Sequence, residues 1–106
     1  MFEEPVATRT KIRSTEDLHE LALHFYALKD VVRLEMLTVL AEREYTVNEL
    51  AEVLTKSQPL ISWHLRRLKA AGIVKIRRSG REVYCSLDRA MLVEQQRAFL
   101  DLIGVA

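Results

Sequence analysis

The chain has 106 residues, 49% of them hydrophobic and 29% charged, which is enough apolar material for one packed domain and too much for a disordered segment. No apolar run approaches the ~18 residues needed to cross a bilayer, so no membrane partner is expected. The formal charge of +1 hides an asymmetry: Thr55 to Arg81 holds eight bases and no acid, so the total divides into +8 there and −7 elsewhere, the electrostatic footprint of nucleic-acid binding.

The single cysteine, Cys85, forms no internal disulfide, which fits a reducing, cytoplasmic compartment. Residues 1–13 carry Glu3, Glu4, Arg9, Lys11 and Arg13 without an apolar stretch. They read as an N-terminal arm and not as a signal peptide. A single domain is expected over 14–106.

Ser14 is placed to cap a first helix, with Glu16 and Asp17 suited to its positive end. Leu18, Leu21, Ala22, Phe25 and Leu28 follow at helical spacing. Asp30 is a second cap. After it, Leu34, Met36, Leu37, Leu40 and Ala41 form a wide apolar arc with Arg33 and Glu35 on other faces, which predicts a central helix. Thr46-Val47-Asn48-Glu49 is a capping box, and Leu50, Ala51 and Leu54 continue a short helix. Thr55-Lys56 breaks it. Ser57 caps the next helix, Pro59 falls in its first turn, and Gly72 stops it.

Two such helices joined by a tight turn, over about 46–72, make a helix-turn-helix whose second member is the recognition helix. On a helical wheel Ile61, Leu65, Leu68 and Gly72 share an inward face, and Pro59, Trp63, Arg66 and Ala70 lie opposite. Two alternating runs around Arg78-Ser79-Gly80-Arg81 form a hairpin over about 73–87, a wing with a basic tip. Asp88 caps a last helix, about 88–103, with Leu92, Gln95, Phe99, Leu102 and Ile103 as its stripe. The expected fold is mainly α with a small β-hairpin: a winged helix-turn-helix with N- and C-terminal dimerisation helices.

Two stretches carry a family resemblance. Ala27-Leu28-Lys29-Asp30-Val31-Val32-Arg33-Leu34-Glu35-Met36-Leu37 is one. Ser57-Gln58-Pro59-Leu60-Ile61-Ser62-Trp63-His64-Leu65, continuing through Leu68 to Ala71-Gly72-Ile73-Val74, is the other. Together with Gly80-Arg81 and Val83-Tyr84 in the wing, they resemble the ArsR-type family of bacterial winged-helix repressors. The resemblance runs from about Leu18 to Leu87. It implies a homodimeric repressor bound to double-stranded DNA.

Ser57, Gln58, Ser62 and Trp63 occupy the half of the recognition helix expected to enter the major groove. Gln58 is suited to a bidentate contact with adenine, and Ser62 to a base or a phosphate. Arg66 and Arg67 are the expected phosphate contacts, and Arg78 and Arg81 at the wing tip can reach the flanking phosphates or the minor groove. Trp63 has two readings, contact with a thymine methyl or packing against Pro59 or the wing. His64 also has two, a structural histidine or a phosphate contact. Leu18, Leu21 and Phe25 of the first helix, with Leu92, Phe99, Leu102 and Ile103 of the last, are the expected dimer surface.

The resemblance also implies metal sites to look for. A thiolate pair would fall near Thr46-Val47-Asn48, where there is no cysteine. A carboxylate-histidine set on the last helix would need a histidine beyond His64, and none occurs. Glu20 and His24 at i, i+4, with His19 adjacent, could hold a metal across a dimer, but histidine and glutamate are also ordinary surface residues, and that reading is preferred. Cys85 alternates with Val83 and Leu87 and is expected to face the core. No metal, cofactor or catalytic constellation is assigned, the effector is left open, and the protein is not expected to be an enzyme. The rival reading is a protein–protein adaptor reusing a winged helix, with Trp63 and Pro59 in a partner's groove.

Overall fold

The computed structural model describes residues 14–105, so the arm expected over residues 1–13 lies outside the described residues. Each helix starts where a short polar side chain can take up an orphan amide. Ser14 accepts from the Asp17 amide at 3.2 Å and opens α1, Thr15–Leu28. Asp30 accepts from the Val32 and Arg33 amides at 2.8 and 3.1 Å and opens α2, Val31–Leu40. Before α3, Val47–Leu54, the capping box is complete: the Glu49 amide donates to the Thr46 hydroxyl at 3.1 Å, and the Thr46 amide to the Glu49 carboxylate at 2.9 Å. Ser57 opens α4, Gln58–Ala70, with Pro59 in its first turn. Asp88 opens α5, Arg89–Leu102, by accepting from the Met91 amide at 3.1 Å.

The turn between α3 and α4 depends on Thr55, which ends α3 in the left-handed region at φ 56°. A β-branched residue is uncommon there. Gly72 ends α4 at φ 75°. A Cβ on it would meet the Met91 Cε at 3.0 Å, so the glycine also admits α5 to close range.

Strand β2, Val74–Ser79, pairs antiparallel with β3, Glu82–Leu87. Ser79 faces Glu82, leaving the two-residue connection Gly80-Arg81 with φ 59° at the glycine alone, as in a type II′ hairpin turn. Tyr45–Thr46 adds a third strand, β1, on the other edge of β3, giving the order β1-β3-β2. The expected hairpin is therefore a three-stranded sheet. The added strand leads directly into α3 and so joins the helix-turn-helix to the wing.

The core lies where α2, α3, α4 and the sheet converge, with Met36, Leu40, Leu50, Ile61, Leu68, Ile73 and Cys85 all buried. Helix α4 contributes Ile61, His64, Leu65 and Leu68, one face at the helical period. The apolar arc of α2 departs from expectation. Arg33, Met36 and Leu40 face inward, while Leu34 is 48% and Val31 72% exposed. Arg33 lies between the rings of Tyr26 and Trp63, with its guanidinium carbon 5.4 and 6.0 Å from their centroids. A cation–π setting accommodates a buried guanidinium better than a simple hydropathy reading allows.

Leu65 is 4% exposed within this core. Leu65→Ala is expected to lower unfolding free energy by about 2–5 kcal/mol in chemical denaturation, as truncation of a buried leucine does. An unchanged midpoint would mean that α4 does not bury this face.

Candidate nucleic-acid interface

Burial of one face of α4 leaves the opposite flank outside. Gln58, Ser62, Arg66 and Lys69 follow one another along it at intervals of three or four residues. The wing completes the surface. Arg78 and Val83 face each other across the β2–β3 ladder. Together with Ile76, they line the far wall of a groove whose near wall is Gln58, Ser62, Arg66 and Lys69. No acidic side chain lines that groove. Arg81 is exposed at the hairpin tip.

Strand alternation sorts the basic residues of β2 onto two faces. Arg77 points away from the groove. Its guanidinium donates to Glu44 at 2.7 Å and stacks 4.4 Å over the Tyr84 ring. One of the eight bases of the acid-free stretch is thus neutralised by an acid from outside it. Lys69, absent from the expected contact set, shares the groove with Arg66 and Arg78; its spacing of three from Arg66 was the available signal.

Ser57 is exposed and caps α4, accepting from the Leu60 amide at 3.3 Å. Gln58 donates through its side-chain amide to the Asn48 side-chain carbonyl. Trp63 is exposed on α4 and carries an arginine. The Arg67 guanidinium lies 3.5 Å over its ring and donates to the Trp63 carbonyl at 3.1 Å. The indole remains 40% exposed, as a platform beneath an arginine.

His64 sits mostly inside the protomer. Its side chain is 5% exposed, with Nδ1 3.9 Å from the Asp30 carboxylate, too far for a hydrogen bond. This depth favours the structural reading over a phosphate contact. Burial pushes its pKa below the ordinary 6.5. The Arg33 and Arg67 charges act in the same sense, against the pull of Asp30. Asp30 itself sits below the usual carboxylate value: burial would raise it, but the Arg33 and Val32 amides and the His64 charge outweigh that.

The terminal helices form a second surface. Leu21 is 5% exposed and buried within the protomer, so it is not available to a partner as expected, whereas Leu92 is only half-buried against the core. Phe25 and Phe99 meet edge to face at 4.8 Å, joining α1 to α5. The His24 imidazole is buried, with Nε2 2.8 Å from the Gln96 side-chain oxygen, a second tie between the same helices. That leaves it no surface metal-binding role beside His19 and Glu20. Leu102 is half-buried, while Leu18 and Ile103 stay exposed. So do Leu23, Tyr26, Val93 and Leu100, which the expected surface had not included. Helix α5 buries no residue within the chain.

Cys85 is fully buried, and burial, with the Glu44 charge, pushes its thiol up to about 11. A thiol so placed stays protonated and unreactive at neutral pH. Among the described residues, no group of three or more His, Cys, Asp or Glu is placed to hold a metal ion, and no helix is long and apolar enough to cross a membrane.

The depressed His64 pKa has a consequence for stability. The unfolded chain takes up a proton near pH 6.5 that the folded imidazole resists, so folding weakens as pH falls through and below that value. Thermal melting from about pH 7.5 to about pH 5 is expected to show a steeper loss for the native chain than for His64→Gln. Equal slopes would mean that His64 is not held neutral by the fold.

Residues 30–75 match the family model described as bacterial regulatory protein, arsR family. The chain is 37% identical over 108 residues to a cadmium resistance transcriptional regulatory protein CadC homolog of Staphylococcus aureus, covering 100% of this chain and 89% of that protein. It is 42% identical over 64 residues to the HTH-type transcriptional regulator KmtR of Mycobacterium tuberculosis, covering 60% of this chain and 49% of that one. The chain thus spans about half the length of several curated relatives it matches. Among solved structures it is similar to a homodimeric winged helix-turn-helix DNA-binding domain of Mycobacterium bovis, a possible ArsR-family transcriptional regulator. There the identity is 26% and the TM-score 0.70, covering 94% of this chain and 92% of that one. The two curated relatives are transcriptional regulators by name. The chain belongs to the ArsR family of bacterial regulatory proteins.

Proposed function

We propose that the protein is a cytoplasmic, homodimeric transcriptional repressor that binds an inverted repeat in double-stranded DNA. The observation that carries this reading is the groove between α4 and the wing. Gln58, Ser62, Arg66, Lys69 and Arg78 line it, and no acid does. Helix α4 enters the major groove by its N-terminal half, where Gln58 and Ser62 meet base edges. Arg66, Lys69 and the Arg67 guanidinium held over Trp63 meet phosphates. Arg78 and Arg81 reach the flanking backbone. Ser57 acts first as the helix cap, and its hydroxyl proton is left to donate to a phosphate.

One chain presents one recognition helix, and the apolar residues left exposed on α1 and α5 supply the two-fold contact. The homodimeric state of the structurally similar Mycobacterium bovis domain supports this arrangement. Occupying a site that overlaps a promoter represses without any further activity. The adaptor reading accounts less well for a groove lined by three bases and no acid.

Counterion release tests the assignment. Duplex affinity is expected to fall steeply with salt, by about 0.9 log units per phosphate contacted for each log unit of salt. Arg78→Ala or Arg81→Ala removes one such contact from each protomer. The slope should therefore flatten by about twice that amount in a dimer, with base preference unchanged. A shallow slope in the native protein would favour an adaptor. A changed base preference in either variant would place that arginine among the base-reading residues.

A further inference from the structure

Asn48 is the second residue of α3, and Gln58 the first of α4. The turn at Thr55 folds these two helix starts together, so that two exposed amide side chains ten positions apart are hydrogen-bonded. Gln58 donates one Nε2–H to the Asn48 Oδ1. This leaves Gln58 with one N–H and its carbonyl oxygen unused, at the end of the groove that Ser62, Arg66 and Arg78 also line. A glutamine reads adenine with that pair of groups, the oxygen accepting from N6–H and the N–H donating to N7.

We propose that Asn48 is a specificity-positioning residue: its side-chain carbonyl favours the orientation of the Gln58 amide that reads adenine. This inference rests on the DNA-binding reading above and goes beyond it by naming how the base contact is set. An unheld glutamine has three rotatable bonds, and its amide can turn over, exchanging donor for acceptor. With Asn48 in place, turning Gln58 alone would set two carbonyl oxygens against each other. Only a joint rotation of both amides restores the bond. A carboxylate at position 48 would forbid even that, because an ionised carboxylate only accepts.

The test is selection from a randomised DNA duplex pool with the native 106-residue chain, Gln58→Ala, Asn48→Ala and Asn48→Asp, each checked first by thermal melting. The native protein is expected to enrich a motif containing one adenine per half-site whose preference is lost in Gln58→Ala. Asn48→Ala should lower preference at that same position by about 5- to 100-fold, the worth of a bidentate base contact, and leave the other positions unchanged. Asn48→Asp should retain the adenine preference while binding all sequences more weakly, because its charge repels phosphates. A purely structural role for Asn48 would weaken binding to all sequences alike and would not give this rescue. Adenine preference intact in Asn48→Ala, or lost equally in Asn48→Asp, overturns the proposal while DNA reading stands. An absence of enrichment with the native protein overturns both.

Discussion

Helix α4 has one face to bury, and its period decides everything outside it. Ile61, His64, Leu65 and Leu68 must enter the core, and the helix has a single rotation that allows it. That rotation turns Gln58, Ser62, Arg66 and Lys69 outward together. Leu68 to Gly72 then delivers the chain into β2, whose own alternation puts Arg78 on the wall facing them and Arg77 on the other. Packing and recognition are two sides of the same helix. The buried apolar stripe supplies the stability, and the polar stripe is held in register by it.

Charge follows the same division. The groove keeps its bases free of acids, while three arginines outside it are engaged by neighbouring side chains. Arg77 is paired with Glu44, Arg33 lies buried near two aromatic rings, and Arg67 is stacked on Trp63. A field built this way is concentrated where duplex DNA would lie and is weakened elsewhere, which suits steering toward a polyanion without a large net charge. Trp63 is unusual on an outward helical face. Its use as a flat support for a guanidinium gives it a place there that neither burial nor a base contact requires.

Much of this arrangement was legible in the residues. Ser14, Asp30, Thr46, Ser57 and Asp88 mark helix starts because only short polar side chains accept from orphan amides. Gly80 marks the hairpin because two-residue loops need a positive φ. What escaped the sequence was long-range or exceptional. Strand β1 has two residues, too few for any period to show. The inversion of Arg33 and Leu34 on α2 depends on aromatic rings brought in by α1 and α4. Thr55 takes a conformation its side chain disfavours, because the turn between α3 and α4 imposes it. The burial of His64 and the pairing of Asn48 with Gln58 arise only once α4 is docked. Leu21 lies on a stripe that a wheel assigns correctly to an apolar face, but a wheel does not say which part of that face the protomer uses for itself.

That last division bears on the assembly. Phe25 against Phe99 and His24 against Gln96 hold α1 and α5 together within a protomer. Around this contact, Leu18, Leu23, Val93, Leu100 and Ile103 are left to water. Covering them with a second copy would set two recognition helices about a two-fold axis, as an inverted repeat requires. Sedimentation of the 106-residue chain, alone and with a duplex carrying its selected site, tests this account most directly. The account predicts a species of twice the 12.3 kDa chain mass without DNA, and two chains on each duplex. A 12.3 kDa species that binds one chain per duplex would contradict it.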